Sequence, residues 1–97
     1  MAETFRIRFA REAADDIRGL KAFDKRRVID GIQLFLAHDP CKASRSRIKL
    51  MVQPFWSQYR LRINDFRVYY DVDEIDAIVQ VVRVLAKTTE TTPTEQP

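Results

Sequence analysis

Cysteine and histidine are nearly absent from this sequence, which has one of each among its 97 residues, Cys41 and His38. A single cysteine excludes a disulfide within the chain, so packing has to stabilise the fold. One cysteine and one histidine are also too few ligands for a usual structural zinc site. We therefore expect no metal and no cofactor, and we assign a catalytic role to neither residue.

Long apolar runs are also missing, which limits where the protein can act. No segment approaches the length of a membrane-spanning helix, and the first residues lack the apolar stretch of a secretory signal peptide. We expect a soluble cytoplasmic protein that has no membrane partner. Residues 88–97 contain only Thr, Pro, Glu and Gln, so they are predicted to form a disordered tail after a single domain, residues 1–87.

The distribution of apolar residues predicts an α+β fold. Alternating apolar and polar residues indicate strands, and apolar residues three or four positions apart indicate helices. The predicted order is β-α-α-β-β-β, in which a small antiparallel sheet carries a helical hairpin on one face. Asn64 and Asp65 tolerate left-handed backbone angles and should form the tight turn of a central hairpin. The strands are predicted over residues 4–9, 55–63, 66–72 and 77–85, with or without a minor extra strand over 48–52.

Two helices are expected between the first strand and the rest of the sheet. The first begins at Ala10 and should turn Asp15 and Asp16 towards solvent. The second is expected to start with Asp24 as its N-cap and to end before Pro40. Its predicted core residues are Val28, Ile32, Leu34, Phe35 and Leu36.

The net charge of +3 conceals an uneven distribution of basic residues. Residues 42–67 contain seven Lys or Arg and one acid, so this segment carries a net charge of +6 and the rest of the chain −3. A localised basic surface is expected of a protein that binds a polyanion, although a solvated basic loop without a partner is an equal alternative. The residues of this segment assigned to RNA binding from charge are Lys42, Arg45, Arg47 and Lys49.

Strand alternation brings polar side chains of the central hairpin to the face opposite the helices. These side chains are Arg60, Arg62, Arg67 and Tyr69. The planar guanidinium group suits phosphate oxygens, and a tyrosine ring can stack on a base. We therefore predict an RNA-binding face that includes Tyr69. The alternative is that the arginines pair with acids such as Asp71 or Asp73.

The segment YRLRINDFRVYYDVD, residues 59–73, follows a helical hairpin and precedes a β-branched strand. It resembles the RelE/ParE toxin superfamily of bacterial type II toxin–antitoxin systems, and the resemblance covers residues 5–87. Similarity to RelE implies a metal-independent, ribosome-dependent mRNA endonuclease that inhibits translation. In such an enzyme the substrate's 2′-hydroxyl attacks the adjacent phosphate and the 5′-oxygen leaves. The implied partners are a cognate antitoxin protein, the ribosome and mRNA.

The same resemblance implies a set of catalytic residues. Arg60 and Arg62 match the paired basic residues of the family's first hairpin strand, and Arg67 matches the arginine that opens the second. Lys87 falls where the family often places a basic residue after the last strand. Because an arginine stays protonated at any useful pH, Lys87 is the candidate base beside the arginines. Arg83 shares strand parity with Lys87 and is implied to contact RNA.

One departure from the family pattern keeps two other functions open. Many members of the superfamily carry a Tyr or His in the C-terminal segment for acid–base work, whereas this chain has neither after Tyr70. The departure favours a ParE-like toxin that inhibits DNA gyrase without RNase activity, with gyrase as its partner. The third hypothesis is a non-toxic binding module of the same fold.

Overall fold

The structure of the chain is a computed structural model that describes residues 4–43 and 47–87. The predicted tail, residues 88–97, and the predicted RNA-binding residue Arg45 lie outside the described residues. The elements are, in chain order, β1 (Arg6–Phe9), α1 (Arg11–Arg18), α2 (Ala22–Leu36), β2 (Ile48–Leu50), β3 (Tyr59–Ile63), β4 (Phe66–Asp73) and β5 (Ile78–Ala86). The predicted α+β class is confirmed, and the minor extra strand is present as β2.

The five strands form one sheet in the order β1-β5-β4-β3-β2. Strands β2 to β5 are antiparallel neighbours, as predicted, but β1 runs parallel to β5, so the sheet is mixed. Backbone N–H groups at both ends of β1 bind β5 or the turn before it, because Arg6 donates to Ala77 and Ala10 donates to Val81, each at 2.8 Å. An alternating apolar pattern carries no strand direction, so the sequence could not distinguish the two orientations.

The core lies between the two helices and one face of the sheet. Its central side chains are fully buried, and they include Val28, Ile32, Leu36, Leu61, Val68, Tyr70, Val79 and Val81. Leu34, which was predicted to join them, is 70% exposed. It lies two positions from Ile32, which in a helix places it on the opposite side, whereas Val28 and Leu36 lie four positions away on the same side.

The start of α2 also differs from the prediction. Its N-cap is Lys21, whose backbone is extended, and no side-chain hydrogen bond caps the helix. Asp24 lies inside the first turn, where a carboxylate interacts favourably with the positive end of the helix dipole.

No helix among the described residues is long and apolar enough to cross a membrane.

The central hairpin has the predicted turn. Asn64 adopts a left-handed backbone conformation with φ 52°, and Ile63 pairs directly with Phe66.

Strand β5 contains an irregularity that the sequence did not reveal. Tyr69 pairs with Arg83 and Tyr70 with Val81, so Val82 has no partner on β4. The extra residue reverses the alternation, and Val81 and Val84 both face the core.

Candidate nucleic-acid interface

The arginines of the central hairpin lie together on the face of the sheet that the helices leave uncovered, which we call the open face. Arg62 on β3 is directly opposite Arg67 on β4, and Arg60 is opposite Tyr69. Directly opposed residues of an antiparallel pair lie on the same side of the sheet. Their neighbours Leu61 and Val68 are fully buried on the other side, as the alternation predicted.

These three arginines have no carboxylate partner in the described part of the chain, where no salt bridge involves Arg60, Arg62 or Arg67. Asp71 and Asp73, the acids named in the alternative, bind backbone groups instead. Asp71 accepts a hydrogen bond from the N–H of Gln58 at 2.7 Å. One oxygen of Asp73 accepts the N–H groups of residues 75 and 76 at 3.0 and 3.1 Å. The structure therefore does not bear out the alternative in which Asp71 or Asp73 neutralises the arginines.

Arg67 is half-buried. Burial lowers the pKa of its guanidinium, and the positive charges of Arg60 and Arg62 lower it further, while Tyr69 and Asp65 partly oppose them. The group nevertheless stays protonated, because arginine does not lose its proton under ordinary conditions. Three positive charges are thus held close together on the open face, an arrangement that an anion stabilises.

Two lysines flank the arginines. Lys49 on β2 pairs directly with Arg60 and so lies on the same face. Lys87 follows the last residue of β5, and its N–H donates to the carbonyl oxygen of Asp65 at 2.6 Å. Because Leu85 is opposite Arg67, continued alternation puts Lys87 on the open face as well.

Two residues that were assigned to RNA binding from charge lie elsewhere. Lys42 and Arg47 line a shallow depression beside α2 together with Leu34 and Phe35. The Arg47 guanidinium lies 4.4 Å from the centre of the Phe35 ring and donates to the Arg62 carbonyl at 3.3 Å. The structure therefore does not bring Lys42 and Arg47 together with the open-face cations.

Arg83 is engaged by a carboxylate that was expected to face solvent. Its Nε and Nη2 donate to the two oxygens of Asp16 at 2.7 and 3.0 Å, and Asp16 also accepts the N–H of Val84 at 2.9 Å. Asp16 thus faces β5, contrary to the prediction. The ion pair holds the Arg83 side chain against α1, which leaves it less available to RNA than the arginines of the hairpin.

Three further side chains that could act as nucleophiles or in acid–base chemistry lie on the core side of the sheet. Burial raises the pKa of Tyr59 to about 12 and raises the pKa of the Cys41 thiol. Tyr70 is fully buried, its hydroxyl donates to the carbonyl of Pro40 at 2.6 Å, and burial raises its pKa too. None of these three side chains belongs to the open face.

Sequence reasoning missed an aromatic pair on the open face. Residues 55–58 were predicted to extend the strand, but β3 begins at Tyr59 and a loop folds Phe55 and Trp56 over Tyr69. The ring centres of Trp56 and Tyr69 are 4.5 Å apart, and those of Phe55 and Trp56 are 4.7 Å apart. Pro54, which interrupts strand pairing, was the signal that the following residues leave the strand.

Comparisons with known proteins agree with this architecture. Residues 7–89 match a family model described as the ParE toxin of a type II toxin–antitoxin system, parDE. No curated relative matches the sequence at a significant level. The fold is similar to that of several solved toxin–antitoxin structures, whose low identities make them evidence for the fold alone.

One of these is the RelBE2 toxin–antitoxin complex from Mycobacterium tuberculosis, with a TM-score of 0.75, 19% identity and coverage of 87% of this chain and 92% of that one. The archaeal RelE–RelB complex from Pyrococcus horikoshii has a TM-score of 0.63 and 18% identity, covering 89% and 98%. The intact RelBE complex from E. coli has a TM-score of 0.64 and 15% identity, covering 89% and 99%.

Proposed function

Because the chain belongs to the ParE toxin family of type II toxin–antitoxin systems, we propose that it is a toxin that stops translation by cutting mRNA on the ribosome. The observation that carries the proposal is the cluster of Arg60, Arg62 and Arg67 on the open face, without a carboxylate partner in the described residues. Such a cluster suits a phosphate that gains negative charge during the reaction. The place of action is then the cytoplasm, where mRNA is translated.

The proposed chemistry needs cations rather than a metal. The 2′-hydroxyl of one nucleotide loses its proton and its oxygen bonds to the adjacent phosphorus. The bond from phosphorus to the 5′-oxygen breaks, the 5′-oxygen takes up a proton, and a 2′,3′-cyclic phosphate remains. Arg62 and Arg67, directly opposed on neighbouring strands, stabilise the charge on the phosphoryl oxygens. Lys87, beside the hairpin turn, is the proposed group for proton transfer, because an arginine cannot accept a proton at a useful pH.

Cleavage of ribosome-bound mRNA by purified protein tests this proposal. Arg62→Ala and Arg67→Ala should each slow cleavage by roughly 10²–10³-fold, the usual effect of removing one transition-state donor. Lys87→Ala should slow it by about 10²–10⁴-fold. Arg26→Ala, which removes an exposed cation of α2 on the helical side, is the matched control. Full cleavage by the Arg62 and Arg67 variants, or intact mRNA with the unmodified protein, would contradict the proposal.

Inhibition of DNA gyrase is the second candidate function. It is favoured by the description of the matching family model and by the lack of Tyr or His after Tyr70. A supercoiling assay with purified gyrase separates the two candidates, because a gyrase inhibitor blocks supercoiling and leaves ribosome-bound mRNA intact. Growth inhibition without mRNA cleavage and without loss of supercoiling would support neither ribosome-bound mRNA nor gyrase as the target.

An antitoxin is the proposed protein partner, because the similar solved structures are toxin–antitoxin complexes. The open-face arginines, which form no salt bridge within the described residues, favour a partner segment that carries acidic side chains. If a gene beside this one encodes a short acidic protein, co-expression of that protein should restore growth, and the purified pair should not cut mRNA. A non-toxic binding module would show no growth defect even when expressed alone.

A further inference from the structure

The loop between β2 and β3 presents a half-exposed tryptophan on a polar surface. Trp56 keeps 49% of its surface exposed although one side of its ring lies against Phe55 and another part against Tyr69. The Phe55 and Trp56 rings are nearly parallel, at 26°. We call Phe55, Trp56 and Tyr69 the aromatic cluster. Part of the Trp56 ring surface in this cluster is not covered by other residues and is accessible to a ligand.

Hydrogen bonds hold the backbone of the loop that carries this ring. The amide of Gln53 donates to the carbonyls of Met51 and Ser57 at 3.3 and 3.2 Å, and its oxygen accepts the N–H of Phe55 at 3.3 Å. Gln58 ties the end of the loop to β4, because its side-chain oxygen accepts the N–H of Val72 at 2.8 Å. A ring fixed before binding loses little conformational entropy when a ligand stacks on it.

The aromatic cluster adjoins the open-face cations. Tyr69, which contacts Trp56, is the residue directly opposite Arg60 and lies on the same strand and face as Arg67. On the side of Trp56 away from the hairpin arginines, a groove of about 500 Å³ is lined by Arg8 and Gln80 and also by the carboxylates Asp71 and Asp73, so the cationic surface lies on the arginine side of the ring. A cationic track beside exposed aromatic rings is the combination by which proteins bind single-stranded nucleic acid, because phosphates follow the charges and bases stack on the rings.

We propose that Trp56 and Tyr69 form a stacking subsite for an unpaired RNA base next to the phosphate that Arg60 and Arg67 bind. This inference deepens the proposed function and rests on it in one respect, that the ligand is RNA. The base lies against the exposed part of the Trp56 ring, and its backbone continues over the arginines. Trp56 acts as a binding residue in this arrangement, and proton transfer does not involve it.

Tryptophan fluorescence provides a direct test, because Trp56 is the only tryptophan of the chain. The probes are a short 2′-O-methyl oligoadenylate, which cannot be cleaved by 2′-hydroxyl attack, and inorganic polyphosphate of matched charge, which has no bases. The oligoadenylate should quench the fluorescence, whereas polyphosphate should bind without quenching. Equal quenching by both probes would overturn the subsite, because the signal would then report charge alone.

Variants separate stacking from phosphate binding. Trp56→Ala has no tryptophan, so its binding is measured by titration calorimetry. The variant should bind oligoadenylate roughly 5- to 150-fold more weakly, the range for losing one base stack, and should keep its polyphosphate affinity. Trp56→Phe keeps a ring and should retain most of the affinity. Val52→Ala, which removes an 84% exposed side chain before the same loop, is the matched control. Wild-type oligoadenylate affinity in Trp56→Ala would overturn the proposal.

The arginines test the proposed function independently of the subsite. Replacing Arg60, Arg62 and Arg67 by Ala should abolish polyphosphate binding. If that result is obtained while Trp56→Ala binds oligoadenylate normally, the subsite fails and phosphate recognition stands. If Trp56→Ala weakens oligoadenylate binding while the triple arginine variant binds polyphosphate normally, the stacking subsite stands and phosphate recognition by the arginines fails. Weaker binding of the antitoxin by Trp56→Ala without any effect on oligoadenylate would assign the aromatic cluster to the protein partner and overturn the subsite.

Discussion

The side chain of Asp16 accepts a backbone hydrogen bond from β5 beyond the point where β1 ends. Strand β1 pairs with β5 only as far as Val81, so the N–H of Val84 has no strand partner on that side and donates to Asp16. The Arg83 guanidinium binds the same carboxylate. The hydrogen bond from Arg83 is the main cause that lowers the pKa of Asp16; burial opposes it, and the N–H of Val84 lowers the pKa further.

Substitution of Asp16 should separate its two roles. Asp16→Ala leaves the N–H of Val84, a buried residue, without its acceptor and should lower the free energy of unfolding by about 1–3 kcal/mol. Asp16→Asn keeps one oxygen for that N–H but loses the charge and one of the two oxygens that Arg83 binds, so its effect should be smaller than that of Asp16→Ala. Urea unfolding measures both changes. Asp15→Asn is the control, since Asp15 forms an exposed ion pair with Arg18 that contributes little.

The effect of Asp16→Asn should also depend on pH. Because the pKa of Asp16 is lower in the folded chain, its charge adds stability that is fully present above the unfolded-state pKa of about 4. That contribution is lost as the pH falls through the folded-state pKa. The difference in stability between the unmodified protein and Asp16→Asn should therefore shrink on acidification. A difference that is equally large in acid and at neutral pH would contradict this role for the charge.

Individual side chains differed in how far the sequence could predict them. Period-two alternation found Arg60, Arg62 and Arg67 because β3 and β4 keep a regular register across the hairpin. The same rule could not find Trp56, since its loop has no period and its position depends on hydrogen bonds from Gln53. Local patterns therefore predict side chains within regular strands better than side chains in a folded loop.

At the scale of elements, α2 approaches β3 so closely at Gly31 that no side chain fits between them. A Cβ atom at Gly31 would lie 2.6 Å from Cδ1 of Ile63, and Ile63 is buried with 5% of its surface exposed. The contact joins the helix to the strand that carries Arg60 and Arg62 on its other side. The position of the basic face thus depends on a close helix–strand contact in the core.

Gly31→Ala should lower the free energy of unfolding by about 1–3 kcal/mol, because overpacking forces neighbouring groups to shift. Ile63→Val removes the atom that the new methyl group would meet, so the double variant should recover part of the loss. Denaturant unfolding of both single variants and the double variant measures this coupling. Gly19→Ala is the control, because its nearest atoms are 3.7 Å away; additive effects of Gly31→Ala and Ile63→Val would contradict the proposed contact.

The pairing of the elements was only partly predictable. The central hairpin follows from local signals, a pair of alternating strands and an Asn-Asp turn. The parallel pairing of β1 with β5 joins residues about as far apart as the domain allows, and nothing local specifies it. The irregularity at Val82 in β5 likewise depends on pairing with β4, so alternation counted along residues 77–85 misassigns part of that strand.

At the scale of the whole molecule, the placement of charge matters more than its total. The net charge is only +3, yet the three hairpin arginines share one face. Lys42 and Arg47, which belong to the same basic segment of the sequence, lie beside α2 instead. A segment charge of +6 therefore overstates the number of cations that one RNA strand can contact at the same time.

Salt dependence of RNA binding should reveal that number. Each phosphate contact to a single strand contributes about −0.7 to the slope of log K against log salt concentration. Replacing Arg60, Arg62 and Arg67 by Ala should therefore make the slope shallower by roughly 2. A second triple variant changes the net charge equally but removes exposed cations away from the hairpin: Arg11→Ala, Arg26→Ala and Lys42→Ala. In titrations with uncleavable oligoadenylate, the slope of this second variant should match that of the unmodified protein. If net charge alone attracted the RNA, both triple variants would have a shallower slope. If the phosphates contact the open face, only the variant without the hairpin arginines would have a shallower slope.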